Sequence, residues 1–153
     1  MDEVIKIIND IKAGKVKPIY FLMGEEPYYI DRITEYLENS LLSEDEKGFN
    51  QIVLYGRDTS IDEIVANAKR FPMMAERQVV IVKEAQDLAK NIDKLEAYAQ
   101  NPQPTTVLVF AYKYKTLDKR KKVTKTLEKH GLVYESKKMY ENQVGQWINR
   151  VLQ

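Results

Sequence analysis

The chain has 153 residues, 44% of them hydrophobic and 31% charged, with a formal net charge of +1. That is enough for one domain with a real core, and too little net charge to argue by itself for a nucleic-acid or membrane partner. The lack of cysteine and the single histidine exclude disulfides, thiol catalysis, Cys-type zinc sites and a His cluster for a metal.

Val4, Ile7, Ile8 and Ile11 recur on one face of a helix, with Asp2 as its N-cap and Gly14 as its stop. Ile19 to Met23 reads as the first strand. Tyr29, Ile33, Tyr36, Leu37 and Leu41 mark a second helical stripe. An acidic loop, Ser43 to Gly48, leads to a second strand over Phe49 to Tyr55, and Gly56-Arg57-Asp58 turns out of it. Ser60 and Glu63 fit a capping box ahead of a third helix with Ile61, Ile64, Val65 and Ala68 inward. Gln78 to Val82 is the third strand. Asp87 to Gln100 reads as helical, Pro102 and Pro104 bracket a turn, and Thr105 to Phe110 is the fourth strand. A basic helix over Leu117 to His130 stops at Gly131, and Leu132 to Glu135 is the fifth strand.

Strands alternate with helices, and the central strands are apolar on both faces, which predicts a three-layer α/β domain around a mainly parallel sheet. Residues 1–139 form that domain. The stripe Val144, Trp147, Ile148 and Val151 is still periodic at Gln153, so residues 140–153 read as the first helix of a second, helical domain in a longer protein. No apolar run nears the roughly 18 residues of a bilayer span. The acidic start Met1-Asp2-Glu3 is unlike a secretory leader, which leaves a cytoplasmic setting as the default.

Two places invite a search for nucleotide chemistry, and neither carries it. A phosphate-binding turn after the first strand needs several glycines, then a Lys and a Ser or Thr. Here the turn is Gly24-Glu25-Glu26-Pro27-Tyr28: one glycine, no lysine, two carboxylates, and a proline that removes a backbone donor. At the end of the third strand, where an acid would hold Mg²⁺, stands Lys83 followed by Glu84. After the fourth strand, Ala111-Tyr112-Lys113-Tyr114 offers no polar sensor of a phosphate. No cofactor, metal or catalytic residue is therefore expected. His130 ends a helix, where a cation is favoured by about 0.3–1 kcal/mol.

The segment Arg70-Phe71-Pro72-Met73-Met74-Ala75-Glu76-Arg77-Gln78 enters the third strand. Met73 and Met74 could fill gaps in a core, because the thioether side chain is flexible and apolar. Pro72 breaks the preceding helix, however, and polar Glu76 and Arg77 follow, which places the pair in a short surface connection.

The order of these elements, the degenerate turn at Gly24-Glu25-Glu26 and the word Ala75-Glu76-Arg77-Gln78 together resemble the amino-terminal domain of the delta subunit of the bacterial DNA polymerase III clamp loader. The resemblance implies an AAA+-like core with sheet order 5-1-4-3-2 and a nucleotide site that does not hydrolyse ATP. It also implies a role in DNA replication: a non-catalytic subunit of a DNA-directed DNA polymerase (a nucleotidyltransferase) that binds the sliding clamp, the beta subunit, and opens its ring. Partners would be that clamp, the other loader subunits, and DNA through the assembled complex, with no membrane. The family's clamp-binding pair, a large aliphatic and an aromatic residue, maps onto Met73 and Met74, with Pro72 before them; methionine here replaces the phenylalanine of many members.

The run Lys119, Arg120, Lys121 and Lys122, flanked by Lys113, Lys115, Lys125 and Lys129, reads first as a solvated helix face. Contact with DNA phosphates or a neighbouring subunit is the sharper alternative. Two rival functions also stand: an α/β enzyme of flavodoxin-like or hydrolase type with its site above the strand carboxyl ends, and an AAA+-like adaptor with a different partner. A deep polar pocket would favour the first, and a clamp pull-down separates the second.

Overall fold

The computed structural model describes residues 2–138. Helix α1 (Asp2–Lys12) precedes β1 (Ile19–Gly24) and α2 (Pro27–Ser40). Then come α3 (Glu44–Asn50), β2 (Gln51–Tyr55), α4 (Ile61–Ala68) and β3 (Gln78–Lys83). An irregular 3-10 segment (Ala85–Leu95) leads into α5 (Glu96–Gln100), β4 (Thr106–Lys113), α6 (Lys122–His130) and β5 (Leu132–Ser136). The five strands form one sheet in the order β2-β3-β4-β1-β5, with every neighbouring pair parallel. Read from the other edge, this is the order 5-1-4-3-2.

Side chains alternate across a strand, so one sheet feeds two cores. Ile19, Phe21, Val80, Val82, Leu108 and Phe110 face α4, the 3-10 segment, α5 and α6. Tyr20, Leu22, Val79, Ile81, Val107 and Val109 face α1 and α2. The middle of the first core is aromatic, with the Phe21 ring 5.4 Å from Phe110 and 5.1 Å from Tyr112 between centroids. Because both faces are covered, β1, β3 and β4 lack the polar alternation of a half-exposed strand. Edge strand β2 is only partly covered, with Ile52 and Tyr55 exposed and its other residues half-buried.

Several boundaries differ from the sequence reading. The acidic stretch after Ser43 is a helix, α3, and not a loop. Ser43 and Glu46 close a full capping box, and three acids in the first turn suit the positive helix end. Phe49 therefore lies in α3, and β2 begins at Gln51. At α4 only half of the expected box forms: the Ser60 hydroxyl accepts from the Glu63 N–H at 3.1 Å, while the Glu63 carboxylate takes the Thr59 hydroxyl. Asp2 is already inside α1 rather than capping it. The helix expected over 87–100 is mostly 3-10. Strand β4 runs on to Lys113.

The basic helix starts at Lys122, not Leu117. Asp118 winds the chain into a turn beforehand: its carboxylate accepts from the Arg120 N–H at 2.9 Å, and its carbonyl accepts from the Lys121 N–H at 3.1 Å and the Thr124 hydroxyl at 2.7 Å. The helix proposed for residues 140–153 lies outside the described residues. Among the described residues no helix is long and apolar enough to cross a membrane.

Candidate functional site

At the carboxyl ends of the strands, where a nucleotide would sit in this topology, the protein's own groups engage the backbone of the turn. At the turn after β1 the Gly24 N–H bonds the Lys115 carbonyl at 3.0 Å and the Glu25 N–H bonds the Ser136 carbonyl at 3.1 Å. The Glu26 N–H reaches the Ser136 Oγ at 3.1 Å, and the Tyr28 N–H reaches the Glu26 carboxylate at 3.2 Å. Pro27 has no N–H. The amides of Gly24, Glu25, Glu26 and Tyr28 are thus turned to protein acceptors rather than to an incoming phosphate.

A charge cluster stands beside this turn. The Lys113 Nζ, at the end of β4, lies 2.9 Å from the Asp31 carboxylate and 3.0 Å from that of Glu84. Gln86 fastens the cluster, donating from Nε2 to Glu84 at 2.9 Å and accepting the Lys113 N–H at 3.0 Å. Lys83, in the position of a metal-holding acid, pairs with Glu38 at 3.1 Å. The carboxylates are already neutralised by lysine, the reverse of a Mg²⁺ site.

The Lys113 hydrogen bond holds the Glu84 carboxyl below its ordinary pKa against partial burial. Burial opposes the charge on Lys113, but the bonds to Asp31 and Glu84 outweigh it and raise its pKa. The depressed Glu84 stabilises the fold above the ordinary value of 4.5, and that share is lost as pH falls through the folded value. The raised Lys113 stabilises it below 10.5, and its share is lost as pH rises through the folded value. Asp31 and Glu84 are 46% and 42% exposed, so solvent screens part of the effect. Lys113→Met should cost about 1–2 kcal/mol at neutral pH, or roughly 2–8 °C of melting temperature, and the deficit should shrink below pH 4.5 as Glu84 protonates in both proteins. Melts that coincide at every pH would refute this.

The second site is at the opposite end of the sheet, before β3. Residues 69–77 link α4 to β3, and their roots are tied down. Gln78 is buried, with its Nε2 within 2.7–3.2 Å of the carbonyls of Asn67, Ala68 and Arg70 and 2.9 Å from the Thr106 Oγ1. The Thr106 hydroxyl donates to the Ala68 carbonyl at 2.6 Å. Asn50, buried at the end of α3, accepts the Met73 N–H at 2.6 Å and donates to the Met73 carbonyl at 2.9 Å.

The crown of this loop is apolar and open. Phe71 is 76% exposed, Met73 55% and Met74 101%, while Pro72 is half-buried. Met74 has φ 56, a left-handed conformation that costs a non-glycine residue about 1 kcal/mol or more and persists only where the surroundings impose it. Phe49, next to Asn50, is also 76% exposed. The expectation that Met73 and Met74 project from a surface connection is met, and Phe71 in the same connection and Phe49 beside Asn50 are further exposed apolar side chains. Neither was singled out in sequence; Phe71 had the same signal as the methionines, its place beside Pro72.

Comparison with known proteins places the fold. The family described as "DNA polymerase III, delta subunit" matches residues 20–137. The chain belongs to the DNA polymerase III delta subunit family. It is 34% identical over 145 residues to DNA polymerase III subunit delta of Bacillus subtilis, a match covering 89% of this chain and 42% of that protein. The solved structure of the Bacillus subtilis DNA clamp loader delta protein (YqeN) superposes with TM-score 0.80 at 32% identity, over 94% of this chain and 45% of that one. The chain therefore spans less than half the length of these delta relatives. A Thermotoga maritima gamma subunit-related protein of DNA polymerase III, TM-score 0.50, and a Thermotoga maritima RuvB variant, TM-score 0.51, are each 16% identical and share the fold. They cover 96% and 97% of this chain and 49% and 48% of their own.

In this delta-family domain the four central cations of the basic run are exposed but matched by acids. Arg120 makes a two-pronged contact to Asp118 at 3.1 and 3.0 Å. Lys119 lies 3.8 Å from Glu135, Lys121 3.3 Å from Asp93 and Lys122 3.9 Å from Glu96. Sequence showed the cations in one run, but not that Asp93, Glu96 and Glu135 would come to meet them.

Proposed function

We propose that this chain is the clamp-contacting domain of a replicative clamp loader, a part of the DNA polymerase III assembly without ATPase chemistry of its own. Met73 and Met74 dock on the sliding clamp as an apolar finger led in by Pro72. The observation that carries this is the fully exposed Met74 side chain on a loop whose roots are pinned by Gln78, Thr106 and Asn50. A soluble domain gains nothing from holding a large apolar group in water, whereas a partner pocket would. The test is titration of the cognate clamp with the parent chain and with Met73→Ala, Met74→Ala.

Clamp opening follows if the finger binds the opened ring better than the closed one, since differential affinity is all that a ligand needs to shift such an equilibrium. No nucleotide takes part within this domain. Calorimetric titration with Mg-ATP should be flat, because the turn amides are bonded to Ser136, Lys115 and Glu26 and Lys83 and Lys113 stand where a cation would bind. Saturable heat at micromolar ATP would refute this.

The other loader subunits supply hydrolysis in this reading, and DNA is met through the complex. The pairing of Lys119, Arg120, Lys121 and Lys122 with local acids favours a solvated face over direct phosphate contact in the isolated domain.

A further inference from the structure

The finger's shape is imposed from outside its own loop, and one side chain does most of this. Asn50 is 4% exposed, and both ends of its amide are engaged. Nδ2 donates to the Glu46 carbonyl at 2.9 Å and to the Met73 carbonyl at 2.9 Å, while Oδ1 accepts the Met73 N–H at 2.6 Å. The three bonds need two donors and one acceptor on a short planar group. Aspartate lacks the donors, and leucine of similar size lacks everything.

Asn50 is in turn held by α3, whose amino end is locked by the reciprocal Ser43–Glu46 box. The next residue after the Asn50-bonded Met73 is Met74, with its left-handed φ of 56. The backbone is thus clasped one residue before its strained turn. A loop that must find its docking shape loses affinity in proportion to the fraction of time it is misfolded, and a pre-set loop does not.

We infer that Asn50 is the positioning residue of the docking finger: it presets the Met73–Met74 backbone in its partner-ready conformation without touching the partner's pocket. The inference rests on the docking role given above to Met73 and Met74. It assigns α3 a task as well, that of bracing the finger from the strand edge.

The experiment is a double-mutant cycle on clamp binding. The sliding clamp of the same organism is titrated with the parent chain, Asn50→Ala, the Met73→Ala, Met74→Ala double variant, and the combination. Asn50→Ala should weaken binding about tenfold, equivalent to about 1.4 kcal/mol. In the background lacking the methionine side chains, the same change should alter affinity less than about twofold, because a well-placed finger with nothing to insert has no advantage. A general loss of fold would instead lower affinity equally in both backgrounds, and that result overturns the inference. If the methionine double variant binds as well as the parent, the docking assignment falls and takes this inference with it. If the methionines matter and Asn50→Ala does not, only the inference falls.

Hydrogen exchange on the unmodified chain is a check that no folding defect can confuse. The Met73 amide, bonded to Asn50, should be protected well beyond its exposed loop neighbours. Exchange at the rate of a free loop amide would mean the clasp is open in solution, and would overturn the inference with the docking role untouched.

Discussion

Met73→Ala, Met74→Ala should cut affinity for the cognate clamp by roughly 100-fold or more, with little change in melting temperature. Interface energy concentrates in a few apolar anchors that enter pockets, each costing about 2 kcal/mol on truncation, or roughly 30-fold. Adjacent anchors are not strictly additive, so the pair should lose somewhat less than the product of the two. The fold should not notice, because the two side chains are 55% and 101% exposed and belong to neither core. The backbone bonds from Asn50 to Met73 survive truncation. The effect should also depend little on salt, because the lost contact is apolar, whereas a phosphate contact weakens steeply as salt rises. Binding as tight as the parent's would remove the residue assignment and leave the family membership standing.

The sheet was legible because burial writes directly into composition. Val79-Val80-Ile81-Val82 and Val107-Leu108-Val109-Phe110 are covered on both faces, and covered strands must be apolar throughout. Helix α3 was missed even though Ser43 and Glu46 spell a capping box, because seven residues rich in acid carry no apolar stripe to announce a helix. The 3-10 form of Ala85–Leu95 was beyond reach for a different reason: Leu88, Ile92 and Leu95 are buried, and their spacing suits an α-helix equally well.

The two ends of the sheet differ in the same way. That the residue types of a phosphate and Mg²⁺ site are missing at Gly24-Glu25-Glu26 and Lys83 was visible in the sequence. What fills the gap was not, because Asp31, Glu84 and Lys113 come from three separate elements and meet only through the sheet order. The exposed apolar loop was visible from Pro72 and the Met73–Met74 pair. Its fastening to Asn50, 23 residues earlier, depends on β2 lying beside β3 and has no local signal.

Gly24→Ala should be the most damaging single change in the strand-end region, and the damage should be to the fold rather than to ligand binding. Gly24 has φ +126, where L side chains are strained, and an added Cβ would lie 2.1 Å from the Ser136 carbonyl oxygen and 2.6 Å from its nitrogen. Those neighbours are backbone atoms of β5, so relief requires the ends of β1 and β5 to part. Parting would break the Glu25–Ser136 and Glu26–Ser136 bonds and loosen the amino end of α2. Strain and overpacking together suggest about 3–5 kcal/mol, or a fall in melting temperature on the order of 10 °C. Gly48→Ala is the control: it lies in α3 with nothing within 4 Å of an added Cβ, so it should be neutral or stabilise by up to about 1 kcal/mol. In a working phosphate cradle the glycine serves the ligand's approach. Here Gly24 serves the approach of β5, which accounts for a glycine in a turn that carries no lysine, serine or threonine for a phosphate. A Gly24→Ala protein that melts within a degree or so of the parent would show that β1 and β5 are not packed this closely.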